Sequence, residues 1–392
     1  MKLKNSILIL AFCLTMTAPP QAYSKGGDHS KHDGKGNKKG DGKGNNNGND
    51  DFSQGGKHHK NSGKEDNSDS LVAVENDGVV ELDLTPGEFS RIVALSDVHG
   101  MLDTLKVLLA AADVTDAQGN WNILTTRGNN IDAKKTLLIV VGDSIDKGPE
   151  SLKVLSLFME LSDQANRVGG RVIHLLGNHE AEFMSKLKSD GKAKDLIQQI
   201  AANGLKVKKF LNGDPMGAYL RSLPLAARVG NWFFAHAGFY QAENWSEFKQ
   251  QSKALLQAGN YSDPIITGND SVLEAKDWWK DESKVRSVFD AFNLSFNPTS
   301  KQNSILGVVF GHQHSAFGLD MDVGARLAAS KMLIKLDSGM PPIAGGGLNS
   351  TGQLVEFAIP EELSQNGQPH LNKVGADGIR VPLLFKPAAF KN

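Results

Sequence analysis

Five short apolar runs, each breaking off into a tight polar turn, recur along this chain and constrain its fold more than any other feature. Arg91-Ile-Val-Ala-Leu-Ser runs into Asp97-Val98-His99-Gly100, and Thr136-Leu-Leu-Ile-Val-Val into Gly142-Asp143-Ser144-Ile145-Asp146. Arg171-Val-Ile-His-Leu-Leu ends at Gly177-Asn178-His179-Glu180, and Asn231-Trp-Phe-Phe-Ala at His236-Ala237-Gly238. Ser304-Ile-Leu-Gly-Val-Val-Phe ends at Gly311-His312-Gln313-His314. Continuous apolar runs of this length are the pattern of strands buried on both faces. Leu102 to Ala112 and, after Pro149, Ser151 to Leu161 carry leucines at helical spacing. Strands alternating with helices predict an α/β core with its sheets inside layers of helix. Two inserts interrupt this pattern: the lysine-rich stretch 181–217, helical in pattern, and the polar stretch 241–303, which holds Trp278-Trp279. They either roof a cleft or lie on the surface as solvated helices.

The N-terminal part reads differently. Lys2 and Lys4 precede an apolar stretch from Ile7 to Ala18, with small residues around Ala22-Tyr23-Ser24. That is the layout of a cleaved secretory signal, residues 1–24, too short to span a bilayer permanently. It predicts a periplasmic or secreted protein. The chain's single cysteine, Cys13, lies in it, so the mature chain has neither disulfides nor thiolate ligands. Between Lys25 and Ser70 Phe52 is the one large apolar residue among Gly, Asn, Lys, Asp, Ser and His. Such a tract cannot bury enough surface to offset its ordering entropy and reads as a disordered linker, leaving 71–392 as the folded domain. A formal net charge of −1 points to neither nucleic acid nor an anionic membrane as partner.

Each of the five turns delivers Asp, Asn or His. Ligands in open α/β sheets collect at the carboxyl ends of strands, so Asp97, His99, Asp143, Asp146, Asn178, His179, His236, His312 and His314 are candidates for one site. Oxygen and imidazole donors without sulfur suit Zn, Mn, Fe or a similar divalent ion. Of eleven histidines, four lie in the 25–70 tract and five in these turns, leaving His174 and His370. Any single turn reads more readily as a cap or a turn than as a ligand. Five in succession, with His-x-His placing both imidazoles on one face of an extended stretch, point to a metal site.

The ordered set Asp-x-His, Gly-Asp-x-x-Asp, Gly-Asn-His-Glu, His-Ala-Gly, Gly-His-x-His is similar to the calcineurin-like metallophosphoesterase superfamily. Gly-Asn-His-Glu, the Leu223-Pro-Leu-Ala-Ala run and Asp337-Ser-Gly resemble its phosphoprotein phosphatase branch, most of all the bacterial Shewanella-like protein phosphatases. The resemblance implies a four-layer α/β/β/α sandwich with helical inserts near the active-site cleft. It also implies two divalent metal ions, Mn, Zn or Fe, with Ni or Mg as alternatives. Asp97, His99 and His314 would take one and Asn178, His236 and His312 the other, with Asp143 bridging. A hydroxide shared by the metals would attack phosphorus in line, His179 would protonate the leaving oxygen, and Asp146 would orient His179. The implied activity is hydrolysis of phosphomonoesters: a phosphoprotein, a phosphopeptide or an aryl phosphate. The alternatives are a phosphodiesterase or dinucleotide pyrophosphohydrolase of the same fold, and a non-catalytic phosphate-binding module.

One departure stands out. The branch usually carries arginine after Gly-Asp-x-x-Asp, where this chain has Lys147. Lysine keeps the charge but lacks the bidentate fork. Lys280, Arg221 and Asn178 are further candidates for holding substrate. Glu180 reads as a supporting or helix-start residue, and the Trp pair either stacks on an aromatic substrate or packs in the core.

Overall fold

The computed structural model describes residue 71 and residues 73–124, 132–186, 193–240, 242–294, 305–341, 351–365 and 367–387, with the side chains of 293 and 294 left out. The expected signal peptide with Cys13 and the 25–70 linker lie outside the described residues. In chain order the first elements are β1 (Val79–Leu82), β2 (Arg91–Leu95), α1 (Leu102–Ala111), β3 (Thr136–Val141), α2 (Ser151–Val168) and β4 (Arg171–Leu175). Next come α3 (Asn178–Ser185), α4 (Lys194–Ala202), α5 (Val207–Gly213), α6 (Pro215–Ser222), β5 (Ala226–Val229) and β6 (Trp232–Ala235). The chain continues through α7 (Trp245–Gln257), α8 (Pro264–Thr267), α9 (Glu282–Leu294), β7 (Gly307–Phe310), β8 (Gly324–Ala328) and β9 (Lys331–Lys335). It ends with β10 (Gln353–Phe357), β11 (Leu371–Gly375), β12 (Arg380–Pro382) and β13 (Lys386–Pro387).

These strands form two sheets. One runs β12-β11-β10-β2-β3-β4 and the other β1-β5-β6-β7-β9-β8-β13. In the first, β2, β3 and β4 are parallel, with Arg91 opposite Thr136 and Leu137 opposite Arg171. In the second, β6, β7 and β9 are parallel. The period of two then sorts side chains into layers. Ile92, Ala94, Leu137 and Ile139 meet Phe234, Val309 and Ile334 between the sheets. Val93, Leu95, Leu138 and Val140 point the other way, onto Leu105 and Leu109 of α1 and Val154 and Phe158 of α2. Phe233 points away from the sheet interface onto Trp245, Phe248 and Phe292 of α7 and α9, with ring centroids 4.8–6.5 Å away. The result is the four-layer α/β/β/α sandwich. Removing one of these wedged rings, as in Phe233→Ala, costs about 3–5 kcal/mol.

The expected helix from Ser151 continues to Val168, because the first residue able to close it is Gly169, left-handed at φ 89°. The strand expected from Ser304 is shorter and covers Gly307–Phe310. Neither insert consists of solvated helices alone. Leu196, Ile200, Phe210 and Leu211 of the first, and Trp245, Phe248, Phe289 and Phe292 of the second, are fully buried in one apolar cluster. Their hydrophobic residues are too widely spaced along the chain to stand out as a run. Trp278 and Trp279 are 1% and 5% exposed against Phe310, so the pair packs in the core. A buried Arg91–Glu356 ion pair at 3.0 Å fastens β2 to β10.

Candidate metal and phosphate site

The five polar turns meet because their strands are neighbours. Asp97, His99 and Gly100 donate their amides to the carbonyls of Gly142, Asp143 and Ser144, lacing the turn after β2 to the turn after β3. Gly311 donates to the carbonyl of His236 in the same way. Two glycines permit the close approach. A Cβ on Gly177 would meet the backbone nitrogen of Asp143, and one on Gly142, already at φ 77°, would lie 2.8 Å from Nδ1 of His236. Six non-glycine residues of these turns hold left-handed backbone: Asp97, His99, Asp143, Asp146, Lys147 and His312, with φ between 47° and 66°. Non-glycine residues in this region cost energy and persist where their surroundings over-determine them, as at functional sites.

Glu180 supplies much of that determination. Its carboxylate accepts from the amides of Gly177 at 2.8 Å, Asp143 at 3.0 Å, Ser144 at 2.8 Å and Ile145 at 3.2 Å. It is wholly buried, and it ties the start of α3 to the turn that carries Asp143.

Asp143 is the centre of the site. Its Oδ1 accepts from the His179 amide at 3.0 Å. Its Oδ2 faces three imidazole nitrogens: Nε2 of His236 at 3.3 Å, of His99 at 3.4 Å and of His179 at 3.9 Å. His236 and His99 direct Nδ1 at the carbonyls of Val141 (2.9 Å) and Ile145 (3.1 Å), which fixes each ring and aims Nε2 inward. His179 directs Nδ1 at Oδ2 of Asp146, 3.0 Å away. Asp97 accepts at Oδ2 from Ser96 Oγ (2.6 Å) and from the His312 amide (3.1 Å). Asn178 joins Oδ1 to Nε2 of His236 at 3.1 Å and donates from Nδ2 to Glu274 at 2.9 Å.

Charge in this cluster is strongly redistributed. Burial works against a charged Asp143, yet His236, His179 and His99 together hold its pKa well below the carboxylate range. Burial would also suppress the His236 cation, but the Asp143 carboxylate lifts it to about 10. Burial pushes Asp97 up, and the charge of Asp143 adds to that. His99 is pulled down to about 3 by burial, so it stands as a neutral ring.

The donor set fits divalent cations. His99, Asp143 and His179 form one buried group of ligand atoms within 4.8 Å of one another, and Asp97, Asp143 and His236 another. Nε2 atoms aimed inward beside carboxylate oxygens are what such ions coordinate, with binding displacing the proton that His236 holds. Of the other expected ligands, His312 places its ring 5.1 Å from that of His236. His314 stands apart: its side chain is half-exposed, with Nδ1 3.8 Å from Asp320.

The expected substrate residues separate. Lys147 lies in the site, its Nζ 2.8 Å from Nε2 of His99. Lys280 is exposed and paired with Asp277 at 2.9 Å. Arg221 is 4% exposed in the last turn of α6, and its carbonyl accepts from Asn76 and Tyr261. Sequence reasoning missed Glu274, which comes from an insert 96 positions from Asn178. It also missed Ser96, legible only as the residue before Asp97.

The chain belongs to the calcineurin-like phosphoesterase family, whose model matches residues 90–316, more than half of its length. That family is one of phosphoesterases that work with divalent metal ions. A stretch of 90 residues is 34% identical to Shewanella-like protein phosphatase 2 of Arabidopsis thaliana, covering 23% of this chain and 20% of that protein. A stretch of 207 residues is 25% identical to the symmetrical bis(5'-nucleosyl)-tetraphosphatase of Vibrio vulnificus, covering 50% of this chain and 64% of that protein. The fold is similar to that of a cold-active protein-tyrosine phosphatase from a psychrophilic Shewanella species, with TM-score 0.55 and 21% identity over 80% of this chain and 85% of that one. The chain thus spans less than two thirds of the length of either curated relative.

Proposed function

We propose that this chain is an exported phosphomonoesterase that acts on a phosphorylated protein or peptide, or on an aryl phosphate, with two divalent cations. The observation that carries this reading is Asp143, one carboxylate shared between two overlapping groups of buried ligand atoms. The family resemblance, rather than these two groups, divides the ligands: Asp97, His99 and His314 would hold one cation and Asn178, His236 and His312 the other, with Asp143 common to both. When bound, such a pair supplies an acidified water and offsets the charge of a phosphoryl group. The remaining steps fall to side chains. Nε2 of His179 gives its proton to the leaving oxygen, while Asp146 holds Nδ1 and thereby the ring's tautomer. Lys147, whose Nζ lies 2.8 Å from Nε2 of His99, takes a phosphate oxygen as a point charge. Export rests on the basic and apolar start of the chain, and the mass of the mature protein tests it.

The activity test is hydrolysis of an aryl phosphate by the metal-stripped protein, then with Mn, Zn, Fe, Ni or Mg restored, beside His179→Ala. Turnover that returns with metal and collapses in the variant supports the proposal. A second reading, hydrolysis of a dinucleoside polyphosphate, draws on the similarity to the symmetrical tetraphosphatase. A higher kcat/KM on that substrate than on the monoester favours it. No turnover on monoester, diester or dinucleotide leaves a phosphate-binding module.

A further inference from the structure

Lys335 closes β9 and is wholly buried. Its ammonium donates to the carbonyls of His314 and Leu319 and, at 2.8 Å, to that of Asp322. All three lie in the segment between β7 and β8 that opens with Gly311-His312-Gln313-His314. An ammonium has three hydrogens, and here each meets a backbone acceptor.

The segment needs such a clasp. Phe317 and Met321 hold left-handed backbone at φ 63° and 56°, conformations that bulky side chains adopt only under external constraint. The side chain of His314 is half-exposed, so its place depends on its main chain, which Lys335 grips. Asp97, His99, Asn178 and His236 are held by other contacts, from Ser96, Ile145, Glu274 and Val141.

We propose that Lys335 is a positioning residue for the candidate metal centre: by drawing the 314–322 segment around its ammonium, it sets where His314 can reach a cation. This rests on the two-cation reading above. It predicts that losing Lys335 weakens the cation that uses His314 and spares the other.

The test is titration of Mn(II) alone into the metal-stripped full chain, following free Mn(II) by electron paramagnetic resonance, with thermal unfolding recorded in parallel. Wild type shows two bound ions. Lys335→Met is expected to lose about ten- to a hundredfold in affinity for one of them, the usual effect of removing a group that orients a ligand. His314→Ala weakens the same ion, and the double variant is no worse than His314→Ala. Wild-type binding of both ions by Lys335→Met, or equal weakening of both, overturns the proposal. Should the methionine variant not fold, Lys335→Arg decides. Its planar fork cannot serve the same three carbonyls, so selective weakening supports the inference and a wild-type isotherm rejects it. A wild-type chain that binds no Mn(II) overturns the metal-centre reading and this inference with it. Two bound ions, unaffected by the Lys335 variants, overturn this inference alone.

Discussion

Lys147 rests its ammonium 2.8 Å from Nε2 of His99, on the side of that ring which faces Asp143. The His99 Nδ1 is turned to the carbonyl of Ile145, so Nε2 carries the lone pair that a cation would use. Ammonium and cation cannot share it. Loading the site therefore moves Lys147 off His99 and frees it for phosphate. Lys147→Met is expected to tighten cation binding severalfold and to raise KM for a phosphomonoester about tenfold, the worth of one charge-assisted hydrogen bond. Calorimetry and steady-state kinetics read the two effects separately. If neither constant moves, Lys147 is a loop lysine without a role in the site.

His179 and Asp146 form a pair whose loss should be visible in the pH profile. Burial opposes the His179 cation, but the charge of Asp143 and the hydrogen bond to Asp146 overcome it, and its pKa lies above the usual histidine value. A proton donor works only below its pKa, so kcat falls on the alkaline side as His179 deprotonates. Asp146→Asn removes the carboxylate and lowers that pKa. The alkaline limb of kcat should move to lower pH, with kcat at its maximum reduced less than in His179→Ala, for which about a hundredfold or greater loss is expected. An unmoved limb would separate Asp146 from the proton donor.

How much of this was legible before the structure follows from where each residue sits. Parallel strands buried on both faces must be apolar throughout, so β2, β3, β4, β6 and β7 announced themselves as runs, and their ends marked Asp97, Asp143, Asn178, His236 and His312. Edge strands such as β12 and β13 are short and partly exposed, and leave no such trace. The inserts hid their buried side chains among lysines, since one buried helical stripe leaves most positions polar. Glu274 and Lys335 act through partners far away in sequence, Asn178 and the carbonyls of His314, Leu319 and Asp322. No local pattern encodes such a pairing.

His174, one of the two histidines outside the turns and the 25–70 tract, ties the site to α6. Its ring lies between Ser144 Oγ at 2.8 Å and Tyr219 OH at 2.9 Å. Burial pulls its pKa down to about 3. In the unfolded chain it titrates near 6.5. Below about pH 6.5 the unfolded state therefore takes up a proton that the folded state refuses until about pH 3. Stability falls across that window by up to about 1.4 kcal/mol per pH unit from this group. His174→Gln should remove one proton's worth of that slope, measured from urea midpoints between pH 7 and pH 4. Superimposable slopes would mean that the folded protein already accepts the proton.

Glu180 is the last case, and it separates a helix-start role from a role in the site. Each of its two oxygens accepts from two of the four amides of Gly177, Asp143, Ser144 and Ile145. In Glu180→Gln one oxygen becomes an amino group, which sets a donor against two buried donors. Unsatisfied buried amides cost about 1–3 kcal/mol each, so a loss of about 3 kcal/mol or more is expected. A residue that merely capped α3 would lose about 1 kcal/mol. Because the Asp143 amide is among the four, the variant should also bind divalent cations more weakly than wild type at a pH where both remain folded. A stability loss near 1 kcal/mol with unchanged cation affinity would confine Glu180 to the helix start. The larger loss with weakened binding would show that this carboxylate holds Asp143 in place.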